Sequence, residues 1–521
     1  MGPIAKIKLF NFKKFDELEI NFNDTLNMLI GDNEAGKSSI LTALDIVLSG
    51  SRSKVESIGL DNLFNTKIVD EFLNSNKDYE SLPTLKVEIY LNEQNNPDLN
   101  GNANSDSRIT DGLSLTCRPN DDFSKEIKEV LSSSEQNFPF EYYSIVFKTF
   151  SDENFTNYRK FFNHILIDNT LVSNEYAVKE YVKSIYRNNV TEAEKNKHHN
   201  LYRQHKNNFN NNILKELNDR TDNYDFTVRT NSKSNLETDL TISEDNIYIE
   251  NKGKGRQCFI KAEFALRKNN EKRKLDILLI EEPENHLSHI NMKKLISKIR
   301  GSEEKQIIIA THNSLISTRL DLRKSILLNS NSSTPVALSR LNEDTAKFFM
   351  KAPDNNILEM VLSKKILLVE GDAEFILMEA LFYKVTGEKF ENSDIHTISV
   401  DGTSFKRYLE LSKILNIKTA VIRDNDGDYK TNCEDPYSEY INDLIQVFSE
   451  KDNQLNTFEK SIYRNNKEIC DELFSEGLKK LTVEDHMLKN KTKVAFELLD
   501  KKSLELVAPD YIKEAIEWIR K

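Results

Sequence analysis

The chain has 521 residues, of which 38% are hydrophobic and 30% charged, and its formal net charge is −12. This length exceeds what one hydrophobic core normally supports, so we expect several domains. No apolar run approaches the roughly 18 residues of a membrane span, and no basic-then-apolar start resembles a signal peptide. We therefore expect a soluble, cytoplasmic protein that does not bind membranes.

The 4 cysteines lie far apart without a CxxC pair, which argues against a structural zinc site and a disulfide framework. The acidic balance argues against a protein that coats nucleic acid, because such affinity comes from Lys and Arg neutralising phosphates. A DNA surface must therefore be local, and the basic stretches 195–206 and 267–274 are its candidates. Solvated helix faces or loops are the alternative interpretation of both stretches.

Strand patterns open the chain. The segment "IAKIKLFNFKKFDELEINF" alternates apolar and polar residues, and "LNMLI" is continuously apolar, as in a strand buried on both faces. Residues 92–112 are rich in turn formers and predict an exposed loop. From about residue 150 to 235 the spacing is mostly helical and carries no catalytic pattern, which favours a helical insertion that serves dimerisation.

A phosphate-binding loop follows "LNMLI". The segment "GDNEAGKSS" places Gly31, Gly36, Lys37 and Ser38 in the P-loop pattern before a helical run. The glycines let backbone N–H groups face phosphates, the lysine reaches the β and γ phosphates, and Ser38 ligates magnesium. A glycine turn before a helix is the alternative, but only 15 of 521 residues are glycine, which makes a chance match rare. Asn33 and Ser39 complete the predicted nucleotide contacts.

A second nucleotide-site pattern is "LDILLIEEPENHLS", an apolar strand that ends in two acids. Glu281 is placed to hold the magnesium shell, and Glu282 to polarise the attacking water. Two ionised carboxylates at the end of a buried strand need compensation, which a metal with a bound nucleotide would provide.

Two further elements make the resemblance to ABC-type ATPases specific. "NKGKGRQ" (251–257) resembles the signature loop of that family, and "IIIATHN" places His312 where the family keeps its γ-phosphate-sensing histidine. The resemblance assigns Gly253, Gly255 and Gln257 to nucleotide contacts made in trans, which implies at least a homodimer. A satisfied structural histidine is the alternative for His312. No convincing Q-loop glutamine is present.

Acids cluster again after about Leu358, where strands and helices alternate and predict a parallel sheet. Glu370 follows one strand, Glu374 lies four residues later in a helix that starts at about Asp372, and "RDNDGD" places Asp424 and Asp426 after the third strand. Oxygen ligands without Cys or His favour Mg²⁺ or Mn²⁺. The alternatives are a helix cap, which is also our expectation for Asp372, and a calcium loop, which lacks the glutamate of its twelfth position.

A glutamate after the first strand and a DxD pair after the third resemble the Toprim domain. A Toprim domain behind an ABC-type head resembles the OLD (overcoming lysogenisation defect) nucleases, which include the nuclease subunit of Gabija defence and some retron effectors. The resemblance implies that Glu370, Glu374, Asp424 and Asp426 hold two divalent ions for phosphodiester hydrolysis. It also implies a late carboxylate and a lysine, for which "LTVEDHMLKNKTKVAFELL" offers Glu484 and Lys493, with Lys491 close on spacing.

Together these patterns predict an α/β protein: an ABC-type P-loop ATPase head with a helical insertion, followed by a parallel-sheet Toprim domain. The predicted ranges are 1–150 and 241–355 for the head, 151–240 for the insertion and 356–521 for Toprim. The resemblance implies an ATP- and Mg²⁺- or Mn²⁺-dependent DNA endonuclease in antiphage defence, a homodimer or higher oligomer, with a helicase or a reverse transcriptase and its DNA as partner. The alternative is a DNA-clamping or sensor ATPase that does not cut, and nucleotide either drives or restrains cleavage.

Overall fold

A computed structural model describes residues 2–133, 137–168, 175–220, 225–230, 236–267, 275–302, 304–329, 332–351, 356–400, 402, 404–476 and 481–521. Two compact units divide the chain. The first comprises 1–316 and 324–335, and the second comprises 317–323 and 336–521. The second unit thus begins before the predicted boundary at 355/356.

The strands are β1 Ile4–Phe12, β2 Phe15–Asn21, β3 Leu26–Gly31, β4 Leu85–Leu91, β5 Asn100–Gly101, β6 Thr110–Pro119, β7 Tyr143–Thr149, β8 His164–Asp168, β9 Ser243–Glu244, β10 Ile247–Tyr248, β11 Ile277–Glu281, β12 Gln306–Thr311, β13 Ser325–Asn329, β14 Ser332–Ala337, β15 Lys365–Val369, β16 Ile395–Ser399, β17 Lys418–Ile422 and β18 Ile445–Phe448.

The helices are α1 Lys37–Ser49, α2 Arg52–Ile58, α3 Leu60–Leu63, α4 Thr66–Leu73, α5 Ser124–Ser132, α6 Glu175–Asn189, α7 Glu192–Asn212, α8 Lys215–Asn218, α9 Leu236–Asp239, α10 Lys254–Leu266, α11 His289–Arg300, α12 Ser314–Arg319, α13 Glu343–Lys351, α14 Ile357–Leu362, α15 Asp372–Thr386, α16 Phe405–Leu415, α17 Phe458–Asn465, α18 Lys467–Phe474, α19 Val483–Lys489, α20 Lys491–Lys502 and α21 Asp510–Arg520.

Two sheets enclose the first helix of the ATPase unit. One has the order β2-β1-β4-β6-β5 with β7 also on β6, and the other has the order β14-β13-β3-β12-β11-β8. Helix α1 packs against strands of both sheets and is apolar nearly all round, with Ile40, Leu44 and Val47 fully buried. A helix covered on both sides needs this pattern rather than a single apolar stripe.

Strand β8 lies inside the range 151–240, which is predicted as a helical insertion. It pairs in parallel with β11, so it belongs to the second sheet of the first unit. Its sequence, HILID, is too short for periodicity to reveal it in a polar region. Helices α6 to α9 do fall in the predicted range, and α7 carries the basic stretch 195–206. The other basic stretch lies outside the described residues beyond Arg267.

The second unit contains the predicted parallel sheet, in the order β16-β15-β17-β18. Strand β15 pairs directly with β17, so the residues that follow these two strands meet at one edge. Helices α15, α20 and α21 share a buried core with the sheet, to which Leu367, Leu377, Leu498 and Ile512 contribute. Within the described residues, no helix is both long and apolar enough to cross a membrane.

Candidate functional site

The P-loop connects β3 to the buried helix α1. Gly36 has a φ of 89°, which favours glycine, and a Cβ there would lie 2.4 Å from the Phe15 ring. The Lys37 ammonium donates to the carbonyls of Gly31 and Asp32, at 2.6 and 2.7 Å. Asn33 is exposed on the loop, and Ser38 and Ser39 lie in the first turn of α1. The loop thus has the form that the sequence predicts.

Glu281 ends β11 beside the loop. Burial raises the pKa of this carboxyl, and Asp168 on the neighbouring strand and Glu282 raise it further, while a hydrogen bond to Ser38 opposes the shift. Asp168 was not predicted from the sequence, because the strand that carries it was missed. Ser38 and Glu281, predicted as magnesium ligands, are therefore close enough for the hydroxyl to lower the pKa of the carboxyl.

Two more acids follow Glu281. Glu282 has a φ of 43°, and its Oε2 accepts from Asn285 at 2.5 Å. Glu284, which the sequence analysis did not select, is buried, and its Oε1 accepts from the Thr311 hydroxyl at 2.7 Å. His312 Nδ1 lies 3.5 Å from Oε1 of both glutamates. The predicted water-polarising acid and sensor histidine are thus neighbours.

The signature-like loop precedes α10. Gly253 has open space around its Cα, whereas a Cβ on Gly255 would lie 2.1 Å from the His286 carbonyl oxygen. Gln257 is buried, and its amide donates to the carbonyls of Lys252 and Glu250 at 2.8 and 3.3 Å. The amide of Gln257 therefore stabilises its own loop, and the nucleotide contact of Gln257 stays a prediction. Gly253 remains accessible for such a contact.

A cavity of about 360 Å³ lies at the carboxyl edge of the second unit's sheet. Glu370 follows β15, Asp424 follows β17, and Glu374 lies in the first turn of α15, which starts at Asp372 as predicted. Gly371 is extended rather than left-handed, and a Cβ there would meet only Glu374 Oε2, at 3.5 Å. The lining residues are Glu370, Gly371, Asp372, Ala373, Glu374, Gly402, Asp424, Lys491 and Thr492.

The carboxylates of this cavity are poorly compensated. Burial raises the pKa of Asp424 to about 8, and Glu374, Glu370 and Glu459 add to the shift. Burial also raises the pKa of Glu374 to about 7, with Glu459 and Glu370 contributing. Lys491 opposes both shifts without cancelling them, because burial and like charges together disfavour the ionised form more strongly.

Asp426 does not line the cavity with the other three predicted metal ligands, although its charge, after burial, raises the pKa of Glu370. Its φ is 51°, its side chain is 51% exposed, and it is not among the cavity-lining residues. Its Oδ2 lies 3.7 Å from the Arg423 guanidinium, which is buried and donates to the Tyr437 hydroxyl. The aspartate would have to turn from this arginine to join Glu370 and Asp424.

The late carboxylate and lysine differ from those predicted. Lys493 is 72% exposed and lies 3.9 Å from Glu497, and Glu484 does not line the cavity. Lys491 lines the cavity instead, and its Nζ lies 3.0 Å from Oε2 of the buried Glu459. Burial acts to lower the pKa of Lys491, but the neighbouring Glu459, Asp424 and Glu374 raise it above its usual value. Of the two lysines that the sequence offers, Lys491 thus lies at the cavity, whereas the roles of Glu484 and Lys493 stay predictions.

The donor set suits a hard divalent cation. It consists of carboxylate oxygens, and Oε1 of the buried Glu459 has no hydrogen-bond partner among the described residues. As these side chains stand, however, no three His, Cys, Asp or Glu side chains of the described ranges converge closely enough to hold an ion. Metal binding therefore requires the carboxylates to draw together.

Two family models match the chain. The model "AAA ATPase domain" matches residues 3–316, more than half of the chain, and the model "Overcoming lysogenization defect protein-like, TOPRIM domain" matches residues 361–426. The second match ends at Asp426 and includes Glu370, Glu374 and Asp424.

Two curated relatives are nucleases by name. The chain is 25% identical to the "Old nuclease" of Escherichia phage P2 over 178 residues, which are 32% of this chain and 30% of the relative. It is 29% identical to "Endonuclease GajA" of Bacillus cereus (strain VD045) over 187 residues, 35% of this chain and 32% of the relative. The matches thus span about a third of each relative's length.

Solved structures give weaker likenesses. An SMC head bound to the C-winged helix domain of ScpA has 15% identity and a TM-score of 0.35, over 65% of this chain and 98% of that chain. The C-terminal region of the Xanthomonas campestris pv. campestris OLD protein has 23% identity and a TM-score of 0.23, over 30% of this chain and 92% of that chain. At these TM-scores the fold rests on the sheets and family models instead. The chain belongs to the AAA ATPase domain family, whose model matches more than half of it, and its residues 361–426 match the OLD-like Toprim model.

Proposed function

We propose that the protein is an ATP-binding, divalent-metal-dependent DNA endonuclease. The observation that carries the proposal is the cavity in which Glu370, Glu374 and Asp424 face Lys491 at the edge of a parallel sheet. The nuclease names of two relatives support the reaction class. Acids left this uncompensated are expected where a ligand supplies the positive charge.

In this proposal Glu370, Glu374, Asp424 and a reoriented Asp426 hold Mg²⁺ or Mn²⁺. The ions supply water activation and stabilisation of the leaving 3′ oxygen. Lys491 binds the scissile phosphate and offsets the charge that builds on its oxygens. Glu459 holds the lysine at the cavity, since the two side chains form an ion pair 3.0 Å long.

ATP is proposed to bind at the P-loop of the first unit. Lys37 would leave the carbonyls of Gly31 and Asp32 for the phosphates, and Glu282 would orient the attacking water. Gly253 leaves room for a phosphate bound by a second copy, so we propose a homodimer or higher oligomer through the ATPase heads.

A plasmid assay tests the nuclease proposal. We expect wild type with Mn²⁺ to nick or linearise supercoiled DNA, and Glu370→Ala to leave it intact. Asp428→Asn is the matched control, because Asp428 is an exposed acid of the same loop that accepts from Thr431 rather than lining the cavity. If wild type and Glu370→Ala leave the plasmid equally intact, the protein is not this nuclease.

A second candidate is a DNA-clamping or sensor ATPase that does not cut. It is favoured by the lack of three converging ligands among the described residues. Metal-dependent DNA binding without cleavage would support it. Comparing cleavage with and without ATP, and in Lys37→Ala, decides whether nucleotide drives or restrains cutting.

The biological setting is proposed from the family resemblance. We place the protein in the cytoplasm, in antiphage defence, with a helicase or a reverse transcriptase and its DNA as partner. Phage plating efficiency on cells carrying wild type or Asp424→Asn tests this. Equal plating on both strains would remove the defence role while leaving the nuclease chemistry open.

A further inference from the structure

We infer that Glu284 is a positioning residue for ATP hydrolysis, which holds His312 against Glu282. The inference rests on the proposed ATP site and adds a residue to it. Three contacts carry it, because Glu284 Oε1 accepts from the Thr311 hydroxyl at 2.7 Å and from the His312 amide at 3.1 Å, and lies 3.5 Å from His312 Nδ1.

These contacts fix both the backbone and the ring of His312. The amide bond anchors the residue where β12 ends, and the ring spans Glu282 and Glu284 with its Nδ1 at 3.5 Å from each. The ring itself is substantially exposed, with 44% of the side chain accessible, so packing alone does not hold it. A buried carboxylate that binds three groups of one turn restrains that turn more than a surface acid does.

The two oxygens of Glu284 differ in their surroundings. Oε2 is buried and has no hydrogen-bond partner among the described residues. Leaving such an oxygen without a partner is unfavourable, which fits a role for it in another state of the site. Lys37 is close enough for the Glu284 charge to raise its pKa. The lysine side chain would move when phosphates replace its two carbonyl partners.

The alternative is a purely structural acid that stabilises the turn after β12. The structural role and the positioning role predict different effects when Glu284 is replaced by a neutral side chain of the same shape. Glu284→Gln keeps an acceptor oxygen for Thr311 and the His312 amide but removes the charge beside the imidazole. A structural role therefore survives this change, and a positioning role through the ring does not.

ATP hydrolysis by the full chain is the first test. We expect Glu284→Gln to lower kcat by about 10-fold or more, with KM within about twofold of wild type. Losses of this size are typical when a residue that orients a catalytic group is replaced. The double variant Glu284→Gln with His312→Ala should have the same kcat as His312→Ala alone, because both changes remove the same contact between Glu284 and the imidazole. Glu126→Gln, an exposed acid on α5, is the control. Unchanged kcat in Glu284→Gln, or additive losses, would overturn the inference.

Hydrogen exchange separates this inference from the ATPase proposal. Without nucleotide, the His312 amide should exchange faster in Glu284→Ala than in wild type, with Thr311→Val intermediate, while the amides of α5 keep their wild-type exchange in both variants. Unchanged exchange in Glu284→Ala refutes the anchor even if wild type hydrolyses ATP. If wild type does not hydrolyse ATP but exchange rises as expected, the ATPase proposal fails and Glu284 is only a structural anchor.

Discussion

The two acidic sites of this protein are compensated in opposite ways. Near the P-loop each glutamate has protein partners: Ser38 for Glu281, Asn285 for Glu282, and Thr311 for Glu284. In the Toprim cavity, Glu374 and Asp424 face each other and Glu459, with Lys491 as the cation that lines the same cavity. The acids of the first site are thus held by polar protein groups, whereas those of the second lie mainly against one another, and a cation is proposed to bring the latter together.

The largest expected effect is on DNA cleavage, when one carboxylate of the Toprim cavity is removed. Asp424→Asn should lower DNA cleavage by about 100-fold or more, because loss of a direct ligand exceeds the 10–100-fold typical of outer-shell changes. Cleavage rate at saturating Mn²⁺ measures it, with Asp428→Asn as the matched control. Cleavage at the wild-type rate in Asp424→Asn would place the metal elsewhere.

Lys491 tests which cation serves the cavity. Lys491→Ala should lower the cleavage rate by about 10-fold or more, since a positioned charge on the phosphate is lost. Lys493→Ala, two residues away on an exposed face, should stay within about twofold of wild type. A larger loss in Lys493→Ala than in Lys491→Ala would restore the lysine that spacing alone suggested.

The pH dependence of stability sharpens the contrast between the two sites. Asp424 keeps its proton up to a pKa of about 8 in the folded chain, against 3.8 when unfolded. Between these values the folded state binds more protons, so the free energy of unfolding falls as pH rises. Without metal, Asp424→Asn should therefore melt a few degrees above wild type at pH 8, with a smaller gap at pH 5. Added Mn²⁺ should close the gap, and Asp428→Asn should show no gain at either pH.

The smallest effect concerns the arginine beside Asp426. Tyr437→Phe removes the hydroxyl that accepts from the buried Arg423 guanidinium, which should cost about 1.5–3 kcal/mol of stability. Chemical denaturation measures it, and Tyr158→Phe, an exposed tyrosine, is the control. If only Mn²⁺ affinity falls and stability does not, Arg423 acts on Asp426 rather than on the fold.

The elements that sequence predicts best are those built from local patterns. The P-loop, the acids after β11 and the edge formed by β15 and β17 follow from strand patterns and from the rule that parallel strands end together. Asp426 was grouped with Asp424 by spacing, although its side chain points to Arg423.

What the sequence missed depends on packing between distant segments. Glu459 and Lys491 come from α17 and α20, and they form an ion pair. The hydrophobic periodicity of each helix does not predict that the two helices meet. Strand β8 was hidden in a polar region, and Asp168 with it. Glu284 did leave a signal, an acid directly after the proline of "EEPE", but its value became visible only through its contact with the turn at Thr311.

The contact between Gly255 and the His286 carbonyl also limits how this protein can evolve. Any Cβ at position 255 would lie 2.1 Å from that backbone oxygen, which no rotamer can relieve. Every single-base change that replaces a glycine introduces a Cβ, so position 255 has no one-step neighbour that fits. The two loops joined there, one before α10 and one after β11, are therefore expected to drift in sequence only around a fixed glycine, or to shift their backbones together.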